Sequence, residues 1–283
     1  MTRLEDLELK TLKLSREGHV VRVELARPNA GNAMNGDFWR EYRQVFQTLA
    51  TDSECRAILV TGQGRFFSVG LDIKEPSVLG GSDPVANKMD PAHKFWRTRI
   101  AVLPMQETFT AMENCPQPVI ACVHSAAIGG AIDLLTACDI RLCSKDAYFS
   151  IQEVNVGIAA DVGTLQRLHH TLGNNSLARE LAYTGRKMDA AEAKSAGFVS
   201  NVFPDNETLF KEGMALAQLI ASKSPIAVAG TKNNLNYSRE HTIADSLERV
   251  ATWNAAAIQT GEVYEAAKAA LQKNGPKPKF SNL

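Results

Sequence analysis

Between Gln117 and Leu168 short apolar runs and glycines follow one another in an order that leaves few folds open. Pro118-Val119-Ile120-Ala121-Cys122-Val123 is a brief apolar run behind a proline, which predicts a buried strand. Gly129-Gly130 then opens an amphipathic segment, so the order is strand, tight turn, helix. The first N–H groups of such a helix have no intrahelical acceptor and face the turn. Backed by the positive end of the helix dipole, they make a site for a negative oxygen. Gly130 has no side chain, so a ligand atom can come close to its N–H. Asp133, Glu153 and Asp161 follow in apolar company. Taken alone, a Gly-Gly pair also serves simply to let a helix pack closely on a strand.

At 283 residues the chain suffices for one large α/β domain or two smaller ones, with a core that needs no disulfide or metal staple. Lysine plus arginine and aspartate plus glutamate both number 31, so no overall charge favours nucleic acid or an anionic membrane as a partner. Cys55, Cys115, Cys122, Cys138 and Cys143 are odd in number and form no Cys-x-x-Cys pair, which predicts buried free thiols in a reducing compartment. No His-x-x-x-His occurs, and no metal site is expected. No apolar stretch reaches the length of a membrane span. Met1 to Lys10, with Glu5, Asp6 and Glu8, has the pattern of neither a secretory signal nor an Arg-rich transit peptide. Ser281-Asn282-Leu283 is similar to the Ser-Lys-Leu peroxisomal address with Asn in place of the cation. A peroxisome-type organelle is therefore the expected compartment, with mitochondrion and cytoplasm as alternatives.

Along the chain, Leu9 to Leu14 and Val20 to Leu25 predict a β-hairpin, and Arg27 to Met34 a loop. Asp37 to Ala50 has helical spacing, with Phe38, Tyr42, Val45, Phe46 and Leu49 on one face. Ala57-Ile58-Leu59-Val60 predicts a second buried strand, and the glycine-rich Gly62 to Asp72 follows it. That loop lacks both the Walker lysine and the dinucleotide Gly-x-Gly-x-x-Gly, so neither a nucleoside triphosphate nor NAD is expected there. Its glycines can still turn backbone N–H groups, that of Leu71 among them, toward a ligand as oxyanion donors. Gly80 to Pro91 is polar and irregular, and a loop is expected. His93 to Glu113 predicts a helix interrupted or kinked near Pro104, whose Phe95, Trp96 and Phe109 serve either core packing or a hydrocarbon pocket. Strand signals recur at Asp139–Leu142 and Ala147–Ser150 and, after helices at Gly163–His170, Asn174–Tyr183 and Ala190–Ala196, at Phe198–Phe203, and vanish from Asn206 onward. An α/β core over 1–204 is expected, with a helical region over 205–283 that folds back on it or packs against another subunit.

Four segments carry a family resemblance: Arg27-Pro28-Asn29-Ala30-Gly31-Asn32-Ala33-Met34, Phe67-Ser68-Val69-Gly70-Leu71-Asp72-Ile73-Lys74, Ile128-Gly129-Gly130 and Ala137-Cys138-Asp139-Ile140-Arg141. With them the chain resembles the crotonase superfamily of enoyl-CoA hydratases and isomerases, from about Leu9 to about Lys273. The stretch Glu153 to Arg167 resembles the Δ3,5-Δ2,4-dienoyl-CoA isomerase branch, which has Asp, Glu and Asp at the places of Asp133, Glu153 and Asp161. Plain hydratases typically have Glu at the first two and no acid at the third. The resemblance implies an α/β fold built as a spiral of ββα units, a C-terminal helical trimerisation region, and a trimer or a hexamer of two trimers. It also implies an oxyanion hole at the N–H groups of Leu71 and Gly130, gripping the thioester carbonyl of an acyl-CoA. Coenzyme A would rest on the backbone of Asn29, Ala30 and Gly31 and on Ile73 and Lys74. Many relatives have Lys where Asn29 stands, so that position lacks the charge they offer the nucleotide end. No cofactor is implied beyond the acyl-CoA thioester, which is the substrate.

Such chemistry asks for these residue types. Removing a C2 proton from a thioester places charge on the carbonyl oxygen, which two fixed N–H donors stabilise. In a 3,5-dienoyl chain that charge spreads along the diene, so a proton returned at C6 gives the 2,4-dienoyl isomer. The expected roles are Glu153 as the base at C2, Asp161 as the acid at C6, and Asp133 as the group that holds and tunes Glu153. Crowded carboxyls in an apolar pocket raise one another's pKa, so one keeps its proton while another ionises. Each acid also has a plain structural use: Asp133 as a surface acid on a helix, Glu153 at a solvated strand end, Asp161 as a helix N-cap. The competing functions are an enoyl-CoA hydratase using Asp133 and Glu153, and a noncatalytic or RNA-binding protein of the same fold.

Overall fold

Alternating apolar residues on either side of Gly18-His19 form the expected hairpin, Leu12–Glu17 (β1) against Val20–Leu25 (β2), antiparallel with Leu14 opposite Val23. Asn35 accepts a hydrogen bond from the Phe38 amide and so starts the helix Gly36–Leu49 (α1), whose aromatic face is buried as its spacing predicts. Ala57–Gly62 (β3) is buried along its whole length and pairs parallel with β2. These elements belong to a computed structural model that describes residues 3–75, 88–271 and 278–283. The loop expected from Gly80 to Pro91 therefore falls mostly outside the described residues.

A single helix, Pro91–Asn114 (α2), runs through Pro104 without interruption. Its first half is exposed, with Phe95 and Trp96 in the open, while Thr108, Phe109 and Met112 enter the core. Phe109 is thus a packing residue against Trp39 and Tyr42. Val119–Val123 (β4) is wholly buried, and Ala126–Ile128 (β5) leads at once into Gly130–Ala137 (α3), every residue of which is buried. Ile140–Ser144 (β6), Tyr148–Ser150 (β7), a 3-10 turn at Glu153–Val156, Thr164–Thr171 (α4), Asn175–Thr184 (α5), Met188–Asp189 (β8), Ala190–Ser195 (α6) and Asn201–Phe203 (β9) follow. Asn206–Ala221 (α7), Pro225–Tyr237 (α8), Ile243–Ala257 (α9) and Gly261–Leu271 (α10) make up the helical remainder.

Six strands form one sheet in the order β1-β2-β3-β4-β6-β9, parallel except at the β1–β2 edge, and β5-β7-β8 form a second, smaller sheet. Because a strand's side chains alternate, the central strands feed two cores. Ile58, Val60, Ala121 and Val123 face α1, α2 and α3. Ala57, Leu59, Ile120 and Cys122 face Leu209, Ala217 and Ala221 of α7. The first helix after Pro204 is therefore part of the core layer. Lys232 on α8 is buried, 2.8 Å from Asp139, and donates to the carbonyl of Gln117 at 3.0 Å. No residue of α9 or α10 is buried, and Ile243, Leu247 and Leu271 stand in the open. The expected strand at Phe198–Phe203 pairs only from Asn201, because Phe198 and Val199 turn their side chains into the core just after Gly197. All five cysteines are free and buried, as predicted.

Candidate active site

The β5 strand escapes a periodicity reading because three residues show no alternation, yet it sets the site. Ser68 bridges to Ala127, with the Ser68 amide donating to Ala126 and the Ile128 amide donating back to Ser68. Leu71 is bracketed in the same way: the Met34 amide donates to Gly70 at 2.8 Å and the Asp72 amide to Met34 at 3.0 Å. Two loops distant in sequence are thus stitched side by side, and the close approach falls at Gly70. A methyl placed on Gly70 would stand 2.4 Å from the Ile128 carbonyl and 2.9 Å from the Gly130 nitrogen, and one on Gly130 would stand 3.7 Å from the Leu71 nitrogen. The Leu71 and Gly130 amides therefore converge, and neither has a hydrogen-bond acceptor among the described residues. Two neighbouring amides without acceptors could together bind one negative oxygen.

Glu153 reaches the same corner from the 3-10 turn. Its Oε1 would lie 3.4 Å from a methyl on Gly129, whose φ of 55° suits glycine, while its Oε2 is buried with no hydrogen-bond partner among the described residues. Burial raises its pKa, and the charge of Asp161 raises it further. Asp133, on the first turn of α3, is 1% exposed and accepts a hydrogen bond from the Thr164 amide at 2.6 Å. Burial first, and then the Glu153 charge, push its carboxyl up to about 7 despite that bond. The Thr164 hydroxyl, buried beside it, makes no hydrogen bond of good geometry, so the amide is the contact that counts. Asp161 lies on the solvent side, yet the protein around it still desolvates the carboxyl enough to raise its pKa. Its charge is felt by both other acids.

The plain structural uses fail against this geometry. Asp133 is no surface acid. The residue capping α4 is Gly163, with no side-chain cap bond, so Asp161 is not the N-cap. Residues 15–280 match the family described as enoyl-CoA hydratase/isomerase.

The chain belongs to that family.

Among its relatives, the human mitochondrial Delta(3,5)-Delta(2,4)-dienoyl-CoA isomerase is 48% identical over 259 residues, which cover 91% of this chain and 78% of that protein. The peroxisomal protein of the same name from Arabidopsis thaliana is 39% identical, with 97% and 98% covered. The crystal structure of enoyl-CoA hydratase from Bacillus anthracis superposes with a TM-score of 0.84 at 28% identity, covering 95% of this chain and 99% of that one. The resemblance to the superfamily and to its dienoyl isomerase branch is borne out, and so is the crotonase-like α/β fold.

Within this family member, the segments expected to hold coenzyme A run beside the amide corner. Pro28–Ala30 forms a 3-10 turn closed by Gly31, whose carbonyl accepts from the Val69 amide at 3.0 Å, so Asn29 and Ala30 stand exposed next to the Leu71 loop. Ile73 and Lys74 follow directly and are also exposed. Two supports were not legible in the sequence. Arg27 pairs with Asp72 at 2.9 Å and so ties the two segments together. Gln152 donates to Gly185 and Ser150 and accepts from Asn155, which fixes the turn that carries Glu153. Neither has a motif, since each depends on a partner brought near only by folding.

Proposed function

We propose that the chain is an isomerase converting a 3,5-dienoyl-CoA to the 2,4-dienoyl-CoA in fatty-acid oxidation. The observation that carries this reading is a trio of carboxyls, Asp133, Glu153 and Asp161, in mutual electrostatic reach beside two converging free amides. A simple hydratase site has no use for the third acid. The names of the human and Arabidopsis relatives support the same reading.

In the proposed mechanism the thioester oxygen lies between the Leu71 and Gly130 N–H groups, each worth about 3 kcal/mol as charge develops on it. Ionised Glu153 takes the C2 proton, and the electron pair moves along the diene as C6 takes a proton from Asp161. The turnover ends with Glu153 protonated and Asp161 ionised, so the site resets by passing that proton on, for which the solvent-facing position of Asp161 is suited. Asp133 touches no substrate in this scheme. Being wholly buried, it keeps its proton nearest to neutral pH and positions the loop at Thr164 while limiting negative charge around Glu153. No cofactor enters any step.

Water addition to a 2-enoyl-CoA by Asp133 and Glu153 is the second reading, favoured by the hydratase whose fold this chain shares. The burial of Asp133 speaks against it, because that carboxyl has no open path to a water or a substrate. The purified protein, given 3,5-dienoyl-CoA and 2-enoyl-CoA in separate reactions, is expected to turn over the first far faster. Asp161→Asn is expected to lower isomerisation by roughly 10²- to 10⁴-fold while acyl-CoA binding persists. Unchanged turnover would remove Asp161 from the mechanism, and the absence of either product would leave a noncatalytic protein of this fold.

The same reading extends to partners and place. Coenzyme A would lie along Asn29, Ala30, Gly31, Ile73 and Lys74. The apolar side chains exposed on α9 and α10 fit burial in a trimer, or a hexamer of two trimers, built through the helical region 205–283. An oxidative organelle, peroxisome or mitochondrion, is the proposed compartment, since the relatives carry both designations.

A further inference from the structure

The loop from Asp161 to Thr164 serves two of the three acids, since it bears Asp161 and also supplies the Thr164 amide to Asp133. Little within the loop itself holds it. Gly163 has a φ of 134° and caps α4 without a side-chain bond. What lies against it is the guanidinium of Arg167, whose Nη1 would be 1.9 Å from a methyl on Gly163. Arg167 donates from Nε to Glu113 at 2.9 Å and lies within 3.3 Å of the Thr110 hydroxyl. The other oxygen of Glu113 pairs with Arg239, just beyond the end of α8, and the Asn236 side chain donates to the Glu113 carbonyl at 3.1 Å. One turn pair earlier on α2, Gln106 donates to the Asp161 carbonyl at 2.7 Å. Gln106, Thr110 and Glu113 recur at helical spacing, so one face of α2 addresses the loop throughout. They border a polar cavity of about 320 Å³ that also meets Gly163, Arg167 and Arg239.

We propose that the chain Arg239–Glu113–Arg167, with Gln106, positions the Asp161–Thr164 loop for the reaction. This inference rests on the isomerase reading above. The charges are largely buried, Arg167 at 14% and Glu113 at 17% side-chain exposure, and Nε and Nη2 of Arg167 both reach Oε2 of Glu113, at 2.9 and 2.7 Å, in a charge-assisted pair. The guanidinium so held occupies the space where a Gly163 side chain would stand, and with the Gln106 bond to the Asp161 carbonyl it sets where the backbone at 161–164 runs. Because Arg239 follows α8, the register of the helical region is transmitted to the acid that faces C6. These are positioning residues: none reaches the Leu71–Gly130 corner.

The test is a double-mutant cycle of Arg167→Met and Gly163→Ala, with Arg167→Lys as the conservative variant. Arg167→Met is expected to lower kcat for dienoyl isomerisation roughly 10- to 100-fold with KM little changed, since small misplacement of a reacting group is that costly. Arg167→Lys is expected to recover part of it. Gly163→Ala is expected to lose a similar or larger factor, since alanine at a φ of 134° is strained and its methyl would also meet the guanidinium, and the double variant to lose less than the product of the two. Hydrogen exchange of the 161–164 amides is expected to quicken in Arg167→Met. Fully multiplicative losses, or an unaltered kcat with only a lower Tm, would overturn the proposal. The exchange readout needs no substrate. An inactive wild-type protein whose loop still loosens in Arg167→Met would refute the isomerase reading alone, and an active one whose loop does not loosen would refute the positioning role alone.

Discussion

The corner at Leu71 and Gly130 and the cluster at Asp133, Glu153 and Asp161 stand beside each other and are made in opposite ways. The corner is main chain: its donors are amides that cannot ionise, held by bridges from Ser68 to Ala127 and from Met34 to Leu71. The cluster is side chain: its three groups titrate, and how easily each does so follows from how far water reaches it. Asp133 is sealed, Glu153 half-buried, Asp161 open on one side. In the proposed mechanism, electrostatic stabilisation by the corner is fixed once the chain folds, whereas proton transfer by the cluster depends on pH and on how the loop is set. Under that mechanism, the acid set can vary while the amide corner stays the same, which suits a family described by both hydratase and isomerase names.

The largest effect is expected from Gly70→Ala, whose new methyl would meet the Ile128 carbonyl at 2.4 Å and force the two loops apart. Loss of one amide donor costs roughly 10²- to 10³-fold in kcat, and here both are displaced. The pH profile of the remaining activity should keep its shape. A profile that moved with Gly70→Ala would show that the corner and the cluster are not separable.

Next comes Asp133→Asn, read by stability against pH. The folded chain holds the Asp133 proton up to about 7, while the unfolded chain releases it near 3.8. Between those values the folded state binds more protons, so rising pH drains stability, with the favourable contribution complete below the lower value and lost above the upper. The asparagine can still accept from Thr164, and denaturant titrations at pH 5 and pH 8 should show the wild type losing on the order of a few kcal/mol that the variant keeps. Equal pH dependence in both proteins would place the burial cost elsewhere. Glu153, also raised by burial, acts as base only when ionised and Asp161 as acid only when protonated, so kcat/KM should fall at both low and high pH.

The smallest effect is expected from Arg27→Met, which removes the pairing with Asp72 but leaves both backbone bridges in place. A decline in kcat of about threefold to tenfold, with an increase in KM for the acyl-CoA, fits a group that steadies the loop from its far end. A loss as large as that of Gly70→Ala would mean that the ion pair, not the bridging amides, holds the corner.

Much of the candidate site was legible before folding. Gly129-Gly130 after an apolar strand announced the amide at α3, and the three acids could be picked out by type and place. Their environments could not. Nothing about Asp133 in sequence distinguishes an exposed first-turn acid from one sealed beneath Thr164, because the sealing residue is brought in by a loop thirty-one positions on. Asp161 suited a helix cap by its neighbours, and only the fold handed that place to Gly163. The short strands β5 and β8 were missed for a related reason: two or three residues carry no period, and they are strands only through what they pair with.

The sequence alone determined the alternation of strands and helices, the neutral charge balance, the buried thiols and the family pattern, because each is written in local residue order and hydrophobic period. The tertiary structure decided which amides converge, which carboxyl is cut off from water and which arginine lies over Gly163. Those depend on distances between segments far apart in the chain, and desolvation and Coulomb energies exist only once such distances are set.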